Sequence, residues 1–280
     1  MINYDYHNFH SNNNYKSHHS LIRINEDCIS IGDNSIIKAG VILDATSGSI
    51  IIDSNVTIDN SSIIEGPCYI GKGSYVSPNS LIRKNNTIGP MCKIGGEVSC
   101  CNILGYSNKV HDGFLGHSYI GEWVNIGAGT NNSNLKNNYG SVKIQYKDSI
   151  LDTKLQFFGC LIGDYSRLAI GTNINTGTYI GLGTNLFNHD FSTKYISSFS
   201  DNGVEMKYYL NEEIGSLKQK LKVCKSTPEI SEDSSLKGKI DKVYSILESY
   251  KEKEIDTDLI ELVLKTQELV EEIETNDIIS

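Results

Sequence analysis

Residues 52–94 read IDSNVT-IDNSSI-IEGPCY-IGKGSY-VSPNSL-IRKNNT-IGPMCK-I, with a branched aliphatic residue at every sixth position. Two further series keep the same step of six: Ile162, Leu168, Ile174, Ile180 and Leu186, and the shorter Ile31, Ile37 and Leu43. This step matches neither the 3.6-residue period of a helix nor a plain two-residue alternation. It is typical of a strand–turn unit repeated many times, as in a hexapeptide β-helix. We therefore predict that each aliphatic residue points inward and stacks on its copies in neighbouring coils.

The repeats divide the 280-residue chain into three parts. A polar arm covers residues 1–28, the predicted β-helix covers 29–204, and a glycine-poor, acidic extension covers 205–280. Apolar residues at helical spacing predict two amphipathic helices in the extension. They are Ile240, Val243, Ile246, Leu247 and Tyr250 in the first helix, and Leu259, Leu262, Val263, Leu269, Val270 and Ile273 in the second. The predicted fold class is mainly β, with a C-terminal α-helical extension.

The composition and charge of the chain argue against several classes of function. The net charge of −9 and the pI of about 5.3 argue against binding to nucleic acid or to an anionic membrane surface. The sequence contains no apolar run near the roughly 20 residues that span a bilayer, and its polar start has no signal-peptide pattern. Seven scattered cysteines without a CxxC motif are typical of reduced thiols. We expect a cytoplasmic protein.

Two stretches break the rhythm of six, residues 95–119 and residues 130–158. Insertions into a solenoid usually leave it as loops on one face, and such loops often carry function. The densest polar cluster falls here, with His111 and His117 followed by an asparagine-rich run at 131–138. A histidine can accept a proton near neutral pH, and asparagine side chains can orient sugar hydroxyls. His111 is therefore the first candidate for a catalytic residue.

The motifs of this region resemble a known family. They are GPMCKIGGEV from residue 89, GYSNKVHDGFLGHSYIGEWVNIGAGTNNSNLKNNY from 105, GDYSRLAIGTNINTGTYIG from 163 and KYISSFS from 194. Residues 89–203 are similar to the acetyltransferase half of the bacterial bifunctional glucosamine-1-phosphate N-acetyltransferase/UDP-N-acetylglucosamine pyrophosphorylase, in its bacteroidete-type variant. The resemblance implies a left-handed parallel β-helix, an amino-sugar substrate, acetyl-CoA as co-substrate and a homotrimer with active sites between adjacent subunits.

The resemblance also implies roles for single residues. His111 falls where the family has the general base that deprotonates the sugar amine, and Asn134 falls close to that base and to the acetyl group. Asn125 matches a position near the sugar. Ala128 and Thr172 match the positions that contact the thioester region and the pantetheine arm of CoA.

Further residues of the segment are expected to bind substrate. Lys93 lies in a segment that approaches the sugar phosphate in relatives, and Lys109 precedes the proposed base. Ser77 departs from the family, which has an arginine there that contacts the sugar phosphate. The change puts the identity of the acceptor in doubt, although Arg83 or Lys84 lies nearby. Only a polar arm without a glycine-rich phosphate loop precedes the β-helix, so we do not expect pyrophosphorylase activity from this chain.

Two alternatives remain open at the level of sequence. γ-Type carbonic anhydrases share this type of β-helix and bind zinc through three histidines. His111, His117 and His189 are the candidates here, but the first two are six residues apart where that family has five, and we predict no metal site. The second alternative is a non-catalytic scaffold with the acidic extension as a docking element.

Overall fold

A computed structural model describes residues 14–187, 191–201, 204–205 and scattered positions between 218 and 245. Most of the described chain winds through three parallel sheets, which we call A, B and C. Sheet A contains Lys16–Ser17, Ile36–Ile37, Thr57–Ile58, Tyr75–Val76, Lys93–Ile94, Asn108–Lys109, Asn125–Ile126, Arg167–Leu168, Asn185–Leu186, Ser200–Asp201 and Val204–Glu205. Sheet B contains Ile22–Ile24, Ile42–Asp44, Ile63–Glu65, Leu81–Ile82, Glu97–Ser99 and Phe114–Gly116. Sheet C contains Ile29–Ile31, Ile50–Ile52, Cys68–Ile70, Asn86–Ile88, Asn102–Ile103, Tyr119–Ile120, Cys160–Ile162, Thr178–Ile180 and Tyr195–Ile196.

The six-residue period places its aliphatic residues on the three sheets in turn. Ile52 pairs with Ile70 in sheet C, and Ile58 pairs with Val76 in sheet A, one full coil later. All of the residues predicted to point inward between 52 and 94 are at most 1% exposed. We call these stacked inward residues the aliphatic column. Burial of each isoleucine contributes roughly 1.5–3 kcal/mol to the stability of the fold. The stacking and burial of the column confirm the predicted β-helix.

One of the two predicted loops is wrong. Residues 95–119 do not leave the solenoid but form coils that are shorter than eighteen residues. Ile88 pairs with Ile103, and Ile94 pairs with Lys109. The units around Val98 and Ile103 are shortened at their turns, so the rhythm of six is lost while the stacking continues.

The second break does leave the solenoid. Asn131–Asn132 pairs with Asn173–Ile174 as a two-stranded parallel sheet, and the chain then departs until Cys160 returns to sheet C. The inserted segment forms an antiparallel hairpin of Lys143–Tyr146 and Ser149–Asp152. Tyr146 from this hairpin contacts the edge of Tyr179 on the outer face of sheet C, with ring centroids 5.1 Å apart. The insert therefore covers part of sheet C.

The chain divides into two compact units, residues 1–204 and 205–280. In the second unit, the described positions 238, 240–241 and 243–245 are helical, as predicted for the face that includes Ile240. Positions 218–219 and 221–222 are also helical, which the sequence analysis did not predict. Leu221 and Ile240 are buried. The second predicted helix, from Leu259 to Ile273, lies outside the described residues. Apart from these positions, the described helix is the 3-10 turn Glu26–Cys28.

Candidate active site

The turns that connect sheet A to sheet B stack on one another at what we call the A–B corner. The turn at 110–113 follows the strand Asn108–Lys109 and holds His111, whose side chain is exposed. Gly129 N donates to Asp112 O over 2.9 Å, and Gly171 N donates to Ala128 O over 2.7 Å. His111, Ala128 and the turn that precedes Thr172 are thereby brought onto three successive turns of one corner, although they are far apart in sequence.

The residues expected at the CoA site differ in exposure. Ala128 is partly buried within its turn. Thr172 is fully buried, and its Oγ1 donates to Ala169 O over 2.7 Å. Its main-chain oxygen accepts from Asn131 N over 3.0 Å. The side chain of Thr172 therefore lies inside the solenoid, below the corner rather than on its surface.

The outer face of sheet A leads into this corner and carries a row of polar side chains. Lys93, Asn108, Asn125 and Arg167 are in register on four successive strands. Asn108 Nδ2 donates to Asn125 Oδ1 over 2.8 Å. The structure thus brings Lys93 and Asn125 to one face, and their role in substrate binding stays a prediction. It adds Asn108 and Arg167, which the sequence analysis missed because only the strand register aligns them.

Lys109 occupies an unexpected position. It takes the place of an aliphatic residue opposite Ile94 in the column and is only 3% exposed. Its Nζ donates to Gly95 O over 3.0 Å and to His111 O over 2.7 Å. Burial lowers the pKa of Lys109 to about 8, and the neighbouring Asp112 opposes that shift. Lys109 was expected to bind substrate, whereas its ammonium group faces two main-chain carbonyls inside the solenoid.

Ser77, the residue that departs from the family pattern, lies beneath the same turn. It is buried, and its Oγ donates to Val110 O over 2.7 Å. Val110 immediately precedes His111, and Ser77 lies two coils earlier in the solenoid. A serine here contacts protein main chain and not the outer surface.

Asn134 lies at the next corner, which connects sheet B to sheet C. Its Nδ2 is 2.9 Å from Nδ1 of His117. With the amide nitrogen as donor, Nδ1 is the acceptor and the ring proton of a neutral His117 is on Nε2. Burial lowers the pKa of His117, which favours this neutral form. The ring of His117 stacks on Phe157 of the insert, with centroids 5.2 Å apart.

A groove opens beside this pair, with a volume of about 380 Å³. The insert supplies its apolar wall through Leu155 and Phe157, and sheet C supplies Tyr119 and Asn102. His117 lines the edge of this groove. The two histidines of the polar cluster therefore lie at different places, His111 at the A–B corner and His117 beside the groove.

The three histidines of the carbonic-anhydrase alternative are not seen together. His111 lies at the A–B corner and His117 at the B–C corner, where Asn134 engages it. His189 lies outside the described residues. Within the part of the chain that the structure describes, no three His, Cys, Asp or Glu side chains are grouped as they would be to hold a metal ion.

Comparison with known proteins supports the resemblance. The family of bacterial transferase hexapeptide repeats, described as six repeats, matches residues 49–84. The bifunctional protein GlmU of Thermodesulfovibrio yellowstonii is 34% identical over 158 residues, which cover 56% of this chain and 31% of that protein. A bifunctional sugar-1-phosphate nucleotidylyltransferase/acetyltransferase of Sulfurisphaera tokodaii is 35% identical over 144 residues, covering 46% of this chain and 36% of that protein.

Among solved structures, a UDP-N-acetylglucosamine acyltransferase aligns with 88% of this chain and 92% of its own, at 15% identity and a TM-score of 0.31. The chain spans about a third of the length of the curated bifunctional relatives. The hexapeptide matches and these relatives confirm the predicted similarity to hexapeptide-repeat acyltransferases, and in particular to the acetyltransferase region of GlmU. Among the described residues, no helix is both long and apolar enough to cross a bilayer.

Proposed function

We propose that this chain transfers the acetyl group of acetyl-CoA to the amino group of a sugar that carries a phosphate or a nucleotide, with glucosamine 1-phosphate as the first candidate. The observation that carries this proposal is the contact between two turns of the A–B corner. The hydrogen bond from Gly129 N to Asp112 O joins the turn of His111 to the turn of Ala128. A base and an acyl-donor position on adjacent turns can act on one bound pair of substrates.

The chemistry follows from this arrangement. The sugar amine attacks the thioester carbon while the exposed imidazole of His111 accepts a proton from the nitrogen. A carbon–nitrogen bond forms, and collapse of the tetrahedral intermediate breaks the carbon–sulfur bond. The CoA thiolate then takes up the proton that His111 holds. Asn134 was expected close to the base, but it engages His117 at the B–C corner, so no step proposed here depends on it. Ala128 remains the proposed contact of CoA, whereas the buried side chain of Thr172 supports the same corner from inside the solenoid.

The anionic part of the acceptor fits the outer face of sheet A. Lys93 and Arg167 flank the hydrogen-bonded pair Asn108 and Asn125. Two cations beside amide groups favour a ligand that combines a phosphate with hydroxyl groups. Since Ser77 is turned into the solenoid, we assign the anion contact of the family's arginine to Arg167, with Lys93 as the second cation of this face.

The proposal includes a homotrimer in the cytoplasm. The Sulfurisphaera tokodaii relative is named for a sugar 1-phosphate, which supports a soluble sugar phosphate as the substrate class. The net charge of −9 gives no reason to expect nucleic acid as a partner.

The test is a free-thiol assay for CoA release, with acetyl-CoA and a panel of amino sugars and their 1-phosphates. We expect release with at least one phosphorylated or nucleotide-linked amino sugar. His111→Ala should lower kcat by about 10²- to 10⁴-fold because the general base is lost. His19→Ala, which removes an exposed histidine of the first coil, is the matched control and should leave kcat unchanged.

Two outcomes would contradict the proposal in different ways. Normal turnover by His111→Ala would remove His111 as the base and leave the transferase activity standing. No CoA release with any acceptor, together with no binding of acetyl-CoA by calorimetry, would favour the non-catalytic scaffold.

A further inference from the structure

We infer that Ser77 and Lys109 are positioning residues that hold the turn of His111 from inside the solenoid. The inference rests on the proposed role of His111 as the base. It assigns to both residues a task other than contact with substrate. On the side of the earlier coil the turn accepts one main-chain hydrogen bond, from Glu97 N to Gly113 O over 3.3 Å, and these two side chains supply the donors to the carbonyls of residues 110 and 111.

The coil before the turn of His111 has an unusually short corner, which leaves room for these side chains beneath the turn. At the A–B corner of that coil, only Gly95 and Gly96 separate the strand Lys93–Ile94 from the strand Glu97–Ser99. The corresponding turn of the coil before runs over residues 77–80. A corner of two glycines is short, so it is recessed toward the interior of the solenoid relative to the turns above and below it.

The glycine is required at this point because the space is already filled. A Cβ on Gly95 would lie 2.1 Å from Val110 O and 2.9 Å from Ser77 Oγ. The carbonyl of Val110 and the hydroxyl of Ser77 therefore meet across the recessed coil, two coils apart. Their hydrogen bond of 2.7 Å joins residues separated by 33 positions in sequence.

Lys109 completes the arrangement from the next strand. The same column position holds Ile94 and Ile126 in the adjacent coils. An aliphatic residue in place of Lys109 would avoid the free-energy cost of burying an ammonium group. The Nζ instead satisfies Gly95 O and His111 O. The peptide oxygens of residues 110 and 111 thus both accept from side chains below the turn, and these two bonds set the direction of the main chain that carries the imidazole.

The upper side of the turn is held in the ordinary way. Asp112 O accepts from Gly129 N over 2.9 Å, and Gly113 packs so closely on the next coil that a Cβ on it would lie 2.1 Å from Thr130 O. Gly113 O accepts from Glu97 N of the earlier coil over 3.3 Å. Gly113 has a φ of 124°, a conformation that favours glycine. The turn is therefore held by a main-chain donor from the later coil, Gly129 N, and on its other side by Glu97 N and the side chains of Ser77 and Lys109.

The test compares Ser77→Ala, Lys109→Met and the double variant with Ser74→Ala as matched control. Ser74 Oγ also donates to a carbonyl of another coil, Gly89 O at 3.0 Å, but does so at the corner between sheets C and A. We expect kcat to fall about 10- to 100-fold in each single variant of the clamp, because a small displacement of a catalytic group has effects of this size. The KM for acetyl-CoA should change less than about twofold, and the double variant should lose less than the product of the single effects.

A second readout needs no turnover. The ring resonances of His111, assigned by NMR in the free protein through the His111→Ala spectrum, should shift or broaden in Ser77→Ala and stay unchanged in Ser74→Ala. Ser77→Thr, which keeps the hydroxyl, should restore both the spectrum and kcat.

The inference is overturned if Ser77→Ala matches Ser74→Ala in kcat and leaves the His111 resonances unchanged. It also fails if only the melting temperature responds, since a purely structural bond would do the same. If the wild-type protein releases no CoA, the proposed function fails while the resonances of His111 still decide whether Ser77 and Lys109 hold the turn.

Discussion

At the scale of the residue, Lys109 links the core of this protein to its candidate active site. Its methylene groups lie in the aliphatic column, and its ammonium group reaches the carbonyl of His111. Sequence reasoning recognised the segment but assigned Lys109 to substrate, because a lysine is usually exposed. Only the register with Ile94 reveals that the side chain points inward.

The buried Lys109 predicts a specific dependence of stability on pH. Burial holds its pKa at about 8 in the folded chain, against an ordinary value of 10.5. Between these values the unfolded chain binds a proton that the folded chain does not, so the free energy of unfolding rises with pH across this window and is flat below it. Denaturant titrations from pH 7 to 10 should show this rise in wild type relative to Lys109→Met, with a slope of at most about 1.4 kcal/mol per pH unit. A difference between the two proteins that is constant over this range would show that the lysine titrates normally.

At the scale of the element, each strand is only two to four residues long, so its stability depends on the coils on either side. Ile82 illustrates this dependence, since it pairs with Ile64 in one neighbouring coil and Val98 in the other. The period of six identifies such residues wherever it is regular. It fails at 95–119, where shortened turns change the spacing but not the stacking, and at 130–158, where the period marks the break but says nothing of the hairpin.

Substitution within one strand tests the assignment of inward and outward positions. Ile82→Asn should lower the free energy of unfolding by at least about 3 kcal/mol, because it removes buried apolar surface and buries an amide. The adjacent Leu81 faces outward, so Leu81→Asn is the matched control and should cost less than about 1 kcal/mol. Chemical denaturation of both variants measures the difference. Equal losses would mean that the phase of the repeat is wrong.

At the scale of the whole molecule, the proposed active site lies on an exterior corner and face of a single solenoid. Several large apolar side chains of the described chain are exposed, including Ile150 and Leu151 of the insert and the stacked pair Tyr106 and Trp123. A site on an open corner is easily reached by water, and a neighbouring subunit would close it. The trimer that the family resemblance implies is therefore a prediction about the assembly.

Light scattering coupled to size-exclusion chromatography tests the assembly. We expect a mass close to three times 31.0 kDa at micromolar concentration. Ile150→Glu, on the exposed insert, should leave the fold intact by circular dichroism and weaken the trimer if the insert reaches a neighbour. Ser149→Glu, at an exposed position of the same hairpin, is the charge-matched control. A monomeric wild type that releases CoA at full rate would show that one chain is sufficient for the site.

The sequence alone determined the type of fold, because stacking in a β-helix is local and repeats at a fixed step, so the residues that fill the core can be read directly from the series. Its motifs also led to the prediction that His111, Asn125 and Ala128 belong to the active site, and that assignment stays a prediction. The tertiary structure decided what shares a corner or a face with them, because the strand register brings together residues separated by a whole coil or by the insert. It alone revealed Arg167 beside Asn125 and the clamp of Ser77 and Lys109 beneath His111. The contacts of Ser77 and Lys109 depend on a coil whose corner consists of only two glycines. The six-residue period does not reveal such a short corner.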